Sequence, residues 1–229
     1  VTTSSPDIIQ AAGLSRTFGK GAGAVTVLKQ VDLSLPSGQL IAFKGRSGSG
    51  KTTLVNLLGA LDQPTEGSIL FDGRNLTGLP ERRRDEIRRS EMGLVFQSFA
   101  LIPLMTALEN VEFMLRIAGY PAPERRSAAS AALEQVGLTG RMHHRPFELS
   151  GGEQQRTAIA RAIAHKPKLI LADEPTAELD SRTGLTIVKI FRDLVQQGLS
   201  VILTTHDPAI MEIVDQVHEL EDGQIVAAR

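Results

Sequence analysis

The run GRSGSGKT at residues 45–52 sets a lysine and a threonine behind three glycines. Its spacing fits G-x-x-x-x-G-K-[ST], a loop whose backbone N–H groups can curl around phosphates. It follows an apolar stretch at 39–44 and opens the helical pattern TTLVNLLGAL. The start of that helix adds positive potential for an anion. Gly45, Arg46, Ser47, Gly48, Ser49 and Gly50 would line the phosphates. Lys51 would place its charge at the β and γ phosphates, and Thr52, with Thr53 beside it, would offer a hydroxyl to Mg²⁺. A purely structural glycine turn gives no reason for the Lys-Thr pair.

Two further clusters could act on the same ligand. LILADE at 169–174 is an apolar run ending in two carboxylates, and ligands bind at such carboxyl edges of α/β sheets. Asp173 would hold Mg²⁺ directly or through water. Glu174 would orient or deprotonate a water for attack on the γ-phosphate. His206 closes the apolar run VILTTH; it could hydrogen-bond the γ-phosphate or the attacking water, or stand as a solvated loop histidine. The segment ELSGGEQQR at 148–156 is a second glycine-rich helix start. Ser150 can cap it, while Gly151 and Gly152 clear the approach to its first N–H groups. That describes a second anion-binding end, or equally an ordinary capped helix with a tight glycine contact. In the first case the chain binds two nucleotides, or each nucleotide is shared between chains of a symmetric dimer.

The elements that must position these groups alternate between strand and helix patterns. An edge strand is expected at 8–14, a turn at 18–23, a strand at 25–35, a short strand at 39–44 and a helix at 51–61. A strand at 68–71 precedes the turn signal Asp72-Gly73. The charged run ERRRDEIRRSE at 81–91 reads as a solvated helix face with Glu–Arg pairs, with a partner or lipid-headgroup contact as the alternative. A strand follows at 92–96. Helical patterns then dominate, at 106–117 and 124–136, before the α/β alternation resumes. It continues with a helix after Ser150, strands at 168–172 and 200–204, helices at 181–196 and 208–214, and a hairpin around Asp222-Gly223. This alternation predicts a largely parallel core sheet covered by helices. The expected division is one domain over 1–229, with an α/β core at 8–97 and 151–229 and a helical insertion at 98–150.

Composition narrows the class. The 229 residues are 41% hydrophobic, carry a net charge of −1 and contain no cysteine. A sizeable core is available, disulfide and thiolate chemistry are excluded, and the charge balance disfavours a free nucleic-acid binder. No apolar run approaches the ~18 residues of a spanning helix, so no direct membrane insertion is expected. The opening VTTSSPDIIQ lacks a basic region followed by an apolar one, so no signal peptide is expected there. Residues 1–7 are expected to fray.

Taken together, these motifs resemble the ATPase subunits of ATP-binding cassette membrane transporters over nearly the whole chain. LSGGEQQR at 149–156 is similar to that family's signature, a more specific marker than the phosphate loop. The resemblance implies a P-loop core with N-terminal antiparallel β elements and an inserted helical subdomain. It makes Glu174 the catalytic glutamate, His206 the switch histidine and Gln97, in VFQSF, the glutamine that senses Mg²⁺ and water. Asp180, in AELD, would act at the subunit interface. Phe18 would stack on adenine through its ring face. Arg46 stands where many relatives carry proline. ATP and Mg²⁺ are the implied ligands, bound in a head-to-tail dimer. Each site would join the 45–52 loop of one chain to Ser150 and Gly152 of the other. The longer patterns MGLVFQSFALIPLMTALENVEF and ADEPTAELDSRTG resemble a subgroup holding lipoprotein-release, macrolide-export, antimicrobial-peptide-export and cell-division cassettes. Where those often read TGNLD, this chain has Ala177 and Glu178 before Leu179 and Asp180. The implied setting is the cytoplasmic face of the cell membrane, held there by a permease subunit of few spanning helices. Soluble cassettes acting on DNA or ribosomes, and ATP-dependent regulatory modules, are the alternatives.

Overall fold

A computed structural model describes residues 6–228. Its element order is β1 (Asp7–Phe18), β2 (Val25–Pro36), β3 (Leu40–Lys44), α1 (Lys51–Leu58), β4 (Glu66–Phe71), β5 (Arg74–Asn75), α2 (Glu81–Glu91) and β6 (Met92–Val95). The helices α3 (Ala107–Ile117), α4 (Ala122–Gln135) and α5 (Gly151–Ile163) come next. The chain closes with β7 (Leu169–Ala172), α6 (Ser181–Gln196), β8 (Ser200–Thr204), α7 (Pro208–Met211), β9 (Gln216–Glu221) and β10 (Gln224–Ala228).

Strands β6, β7, β8, β3 and β9 pair in parallel, and β10 adds an antiparallel edge, giving the order β10-β9-β3-β8-β7-β6. A separate antiparallel sheet has the order β2-β1-β4-β5. Strand periodicity of two explains how these layers stack, because alternate side chains leave opposite faces of the central sheet. Ile41 and Phe43 of β3, Leu169 and Leu171 of β7, and Ile202 of β8 pack with α1 and the antiparallel sheet. Leu40, Ala42, Ile170, Ala172, Val201 and Leu203 face the other way, into a core shared with α3, α4, α5 and α6. A central sheet covered on both faces needs near-continuous apolar runs; LILA and the centre of SVILT are of that kind, and both strands are buried throughout.

Four local expectations change. The strand expected at 8–14 as an edge runs from Asp7 to Phe18 and lies inside its sheet, paired with both β2 and β4. The frayed start expected for 1–7 therefore does not extend to Asp7; residues 1–5 lie outside the described residues. The helix expected to reach 61 ends at Leu58, where Gly59 closes it. In α2 the expected pairs form: Arg83 and Arg82 meet Glu86, and Arg84 and Arg88 meet Glu81. Arg84, however, is buried and donates with Arg88 to the carbonyl of Ala60, so one face of this charged helix packs inward. The hairpin at Asp222-Gly223 has positive φ at both residues, as a two-residue primed turn requires. No helix among the described residues is long and apolar enough to cross a membrane.

Candidate functional site

The phosphate-type loop bridges β3 and α1. Gly50 stands at the helix N-cap in the left-handed region with φ 105° and offers no side-chain cap, so the first N–H groups of α1 are left for another acceptor. Gly45 is demanded by close approach: a β-carbon there would stand 2.3 Å from the carbonyl oxygen of Leu220 and 2.6 Å from Ser49 Oγ. Gly45→Ala should cost about 1–3 kcal/mol through overpacking. Thermal unfolding of the variant checks this, and an unchanged melting temperature would refute it.

Lys51 is buried, yet its ammonium is aimed back across the loop. Nζ donates to Gly45 O at 2.9 Å and to Arg46 O at 3.2 Å, and lies 3.5 Å from Glu174 Oε1. These groups open on a cavity of about 880 Å³. Its walls include Gly45, Arg46, Ser47, Gly48, Gly50, Lys51, Thr52, Thr53, Gln97, Glu174 and His206, together with Val27, which the motifs did not single out. Ser49, expected to line the phosphates, is buried and outside those walls, and its Oγ makes no hydrogen bond among the described residues. Backbone N–H groups at a helix start and a buried ammonium, opening on one cavity, fit an anionic, oxygen-rich ligand.

Thr204 on β8 orients the acidic pair. Its hydroxyl donates to Asp173 Oδ1 at 2.7 Å and accepts from Glu174 N at 2.7 Å. Glu174 adopts φ 44°, a turn that sends its carboxylate away from the strand and into the cavity. There it meets Lys51 on one oxygen and His206 Nδ1, at 3.3 Å, on the other. Gln97 reaches the same cavity and donates to Glu178 Oε1 at 3.1 Å. The unusual Glu178 is thus the residue that holds Gln97. No group of three or more His, Asp or Glu side chains among the described residues could hold a metal unaided. A cation on Thr52, Gln97 and Asp173 would need phosphate or water oxygens as well.

The remaining candidates lie elsewhere. Ser150 caps α5, accepting from Glu153 N at 3.3 Å, while Glu153 accepts from Ser150 N at 2.8 Å. This is a reciprocal capping box. It holds the Glu153 carboxyl below the usual carboxylate range, chiefly through the Ser150 backbone hydrogen bond. Gly152 has a reason of its own: a β-carbon would stand 2.5 Å from Thr183 Cγ2, so its missing side chain lets α5 approach α6. Gly151 has only ordinary contact room, with Leu179 at 3.4 Å. Neither glycine nor Ser150 lines the cavity of Lys51. Asp180 caps α6 through Thr183 and lines a neighbouring cavity of about 340 Å³, whose wall also includes Glu174 and His206. The Thr183 side chain is the main cause that holds the Asp180 carboxyl below its usual range. Phe18 lies outside the walls of the larger cavity, partly exposed, with the Arg16 guanidinium 4.4 Å over its ring. Asp62 holds that guanidinium at 2.8 Å.

This geometry, a glycine-rich loop at a parallel-sheet edge facing an acidic strand end, defines a P-loop nucleotide hydrolase. A family profile described as ABC transporter matches residues 28–177. The macrolide export ATP-binding/permease protein MacB of Escherichia coli is 44% identical over 96% of this chain. The chain spans only 34% of that protein's length. An uncharacterised ABC transporter ATP-binding protein of Methanocaldococcus jannaschii, MJ1508, is 41% identical over 96% of this chain and 98% of its own length. Among solved structures, the ATP-binding cassette MJ0796, dimeric in a post-hydrolysis state with ADP and Pi, has a TM-score of 0.89 at 38% identity. It covers 96% of this chain and 97% of that one. The chain belongs to the ABC transporter family, as one of its ATP-hydrolysing cassettes.

Proposed function

We propose that the chain drives a membrane exporter or mechanotransmitter, working as a head-to-tail dimer that closes on two ATP molecules. The observation that carries this is the separation of the two anion-binding helix starts. Lys51 and Glu174 share one cavity, and Ser150 does not reach it. Ser150 therefore has no phosphate to serve on its own chain, whereas a second copy could bring one. The dimeric state of MJ0796 supports the same reading.

Within each site the loop at 45–52 binds the phosphates through backbone N–H groups and Lys51. The exposed Phe18 ring is offered to the adenine. Thr52, Gln97 and Asp173 are the residues that would hold Mg²⁺, which neutralises phosphate charge when bound. Glu174 holds the attacking water, and His206 fixes the Glu174 carboxylate from the far side. Donors aimed at the γ-phosphoryl oxygens act most strongly as charge develops there, which is the task of Lys51 and of Ser150 and the first N–H groups of α5 from the other chain. Asp180 lies at the dimer seam.

The segment 98–150 acts as a helical insert on the α/β core and carries motion to a permease subunit of few spanning helices. A groove of about 580 Å³ between α2, β6, α3 and α5 is walled by Met92, Leu94, Phe96, Phe113, Met114 and Ile117. It supplies an apolar seat for a segment of that subunit. The 44% identity to MacB favours export over work on DNA or ribosomes, and residues 98–150 hold two short helices in place of a long coiled coil. Such a complex would sit on the cytoplasmic face of the membrane.

Ser150→Ala separates the shared site from a private one. Losing the cap should lower stability by about 1 kcal/mol. Hydrolysis should fall, while nucleotide affinity of the monomer, read by calorimetry below the dimerisation range, stays at the parent value. An equal loss of monomer affinity would place Ser150 in its own chain's site. Co-purification with a membrane subunit tests the transport setting.

A further inference from the structure

Phe99 and Ala100 both take left-handed backbone angles, φ 58° and 49°. Consecutive non-glycine residues in that region are strained, because each β-carbon crowds the carbonyl that follows. The carbonyl oxygens of both residues accept from one guanidinium. Arg161 donates through Nη2 to Phe99 O at 2.9 Å and through Nη1 to Ala100 O. Arg161 is half-buried in the last turn of α5, and burial holds its pKa below the usual arginine value. A desolvated guanidinium needs such acceptors, and its planar fork suits two neighbouring carbonyls.

The same turn also approaches the other end of α5. Phe99 Cζ lies 3.9 Å from the place a β-carbon would take on Gly151, at the start of α5. One helix thus holds the turn by its backbone near the helix end, while the Phe99 ring lies close to the helix start. Helical side chains lean toward the N-terminus, so Arg161 reaches back along α5 to meet it. Two residues before Phe99 stands Gln97, in the wall of the phosphate-loop cavity. Ala100 and Arg161 also line the apolar groove under α3, so whatever fills that groove touches the same contact.

We propose that Arg161 is a positioning residue: it locks the left-handed turn at 99–100 onto α5, so that Gln97 and Ser150 travel as one rigid unit. The lock follows from this chain's own contacts. Its use, to couple the partner's nucleotide to Gln97, rests on the shared-site reading above.

Arg161→Met keeps the stem and removes both donors. Amide exchange across residues 97–101 of the nucleotide-free chain should rise. The kcat for Mg-ATP should fall by roughly tenfold or more, with KM for ATP near the parent value because Lys51 is untouched. Arg161→Lys should restore only part, because a single ammonium cannot span both carbonyls as a fork does. It also carries the comparison if the methionine variant does not fold. A purely space-filling arginine predicts parent exchange and parent kcat in Arg161→Met, and that result overturns the proposal. So does a loosened turn with unchanged kcat. Exchange on the nucleotide-free chain reads the lock alone, whereas ATP-dependent mass of Glu174→Gln reads the shared site. A silent exchange map sinks the lock whatever that mass shows.

Discussion

Glu174→Gln is expected to bind ATP as the parent does, lose hydrolysis by about 10²–10⁴-fold and accumulate as a dimer in ATP and Mg²⁺. The amide keeps the shape of the side chain and its place between Lys51 and His206, which lie 3.5 Å and 3.3 Å from the two carboxylate oxygens. It removes the base that receives or orients the proton of water. Phosphate binding is left to the loop and Lys51, so the closed state forms and cannot turn over. Removing a negative charge from a phosphate cavity takes nothing from ATP binding. Light scattering should report a mass near twice the monomer only when ATP and Mg²⁺ are both present. A monomer mass at saturating ATP would overturn the head-to-tail reading, and hydrolysis at the parent rate would remove Glu174 from the chemistry.

Lys51→Ala should abolish measurable nucleotide binding. A charge-assisted hydrogen bond contributes about 1.5–3 kcal/mol, and each ~1.4 kcal/mol is tenfold in affinity. Losing the ammonium at two phosphates should weaken binding by roughly 100-fold or more. The variant also leaves Gly45 O and Arg46 O without the donor that now serves them, and it frees Glu174 from its cationic neighbour. Some loss of stability is therefore expected, and circular dichroism must show a folded chain before the calorimetry is read. A folded variant with parent affinity would refute the role of the loop.

The phosphate loop and the acidic strand end were legible because their chemistry is local. A lysine at a helix start after spaced glycines, or two carboxylates ending an apolar run, needs no distant partner to be recognised. The central sheet was legible for a related reason: LILA is apolar at every position and SVILT has an apolar centre, and both are buried throughout, as a sheet covered on both faces requires. What escaped depends on contacts far apart in sequence. The burial of β1 between β2 and β4 follows from pairing that its own residues do not encode. The inward turn of Arg84 depends on the carbonyl of Ala60. Gly152 read equally as clearance for a ligand or as a tight contact, and the partner in that contact, Thr183, lies on another helix. Thr204, which sets the acidic pair, sits in an apolar strand and carries no motif of its own.

The distance between Ser150 and the cavity of Lys51 has a genetic consequence. On the shared-site reading, a chain with Lys51→Ala and a chain with Ser150→Ala are each defective when paired with their own kind. Mixed, they sort their lesions unevenly. One composite site receives both defects, and the other receives an intact loop from one chain and an intact serine from its mate. Co-expression should therefore rescue a function that neither allele supports alone, whereas placing both substitutions on one chain beside a wild-type copy leaves each site with a single lesion and no whole site.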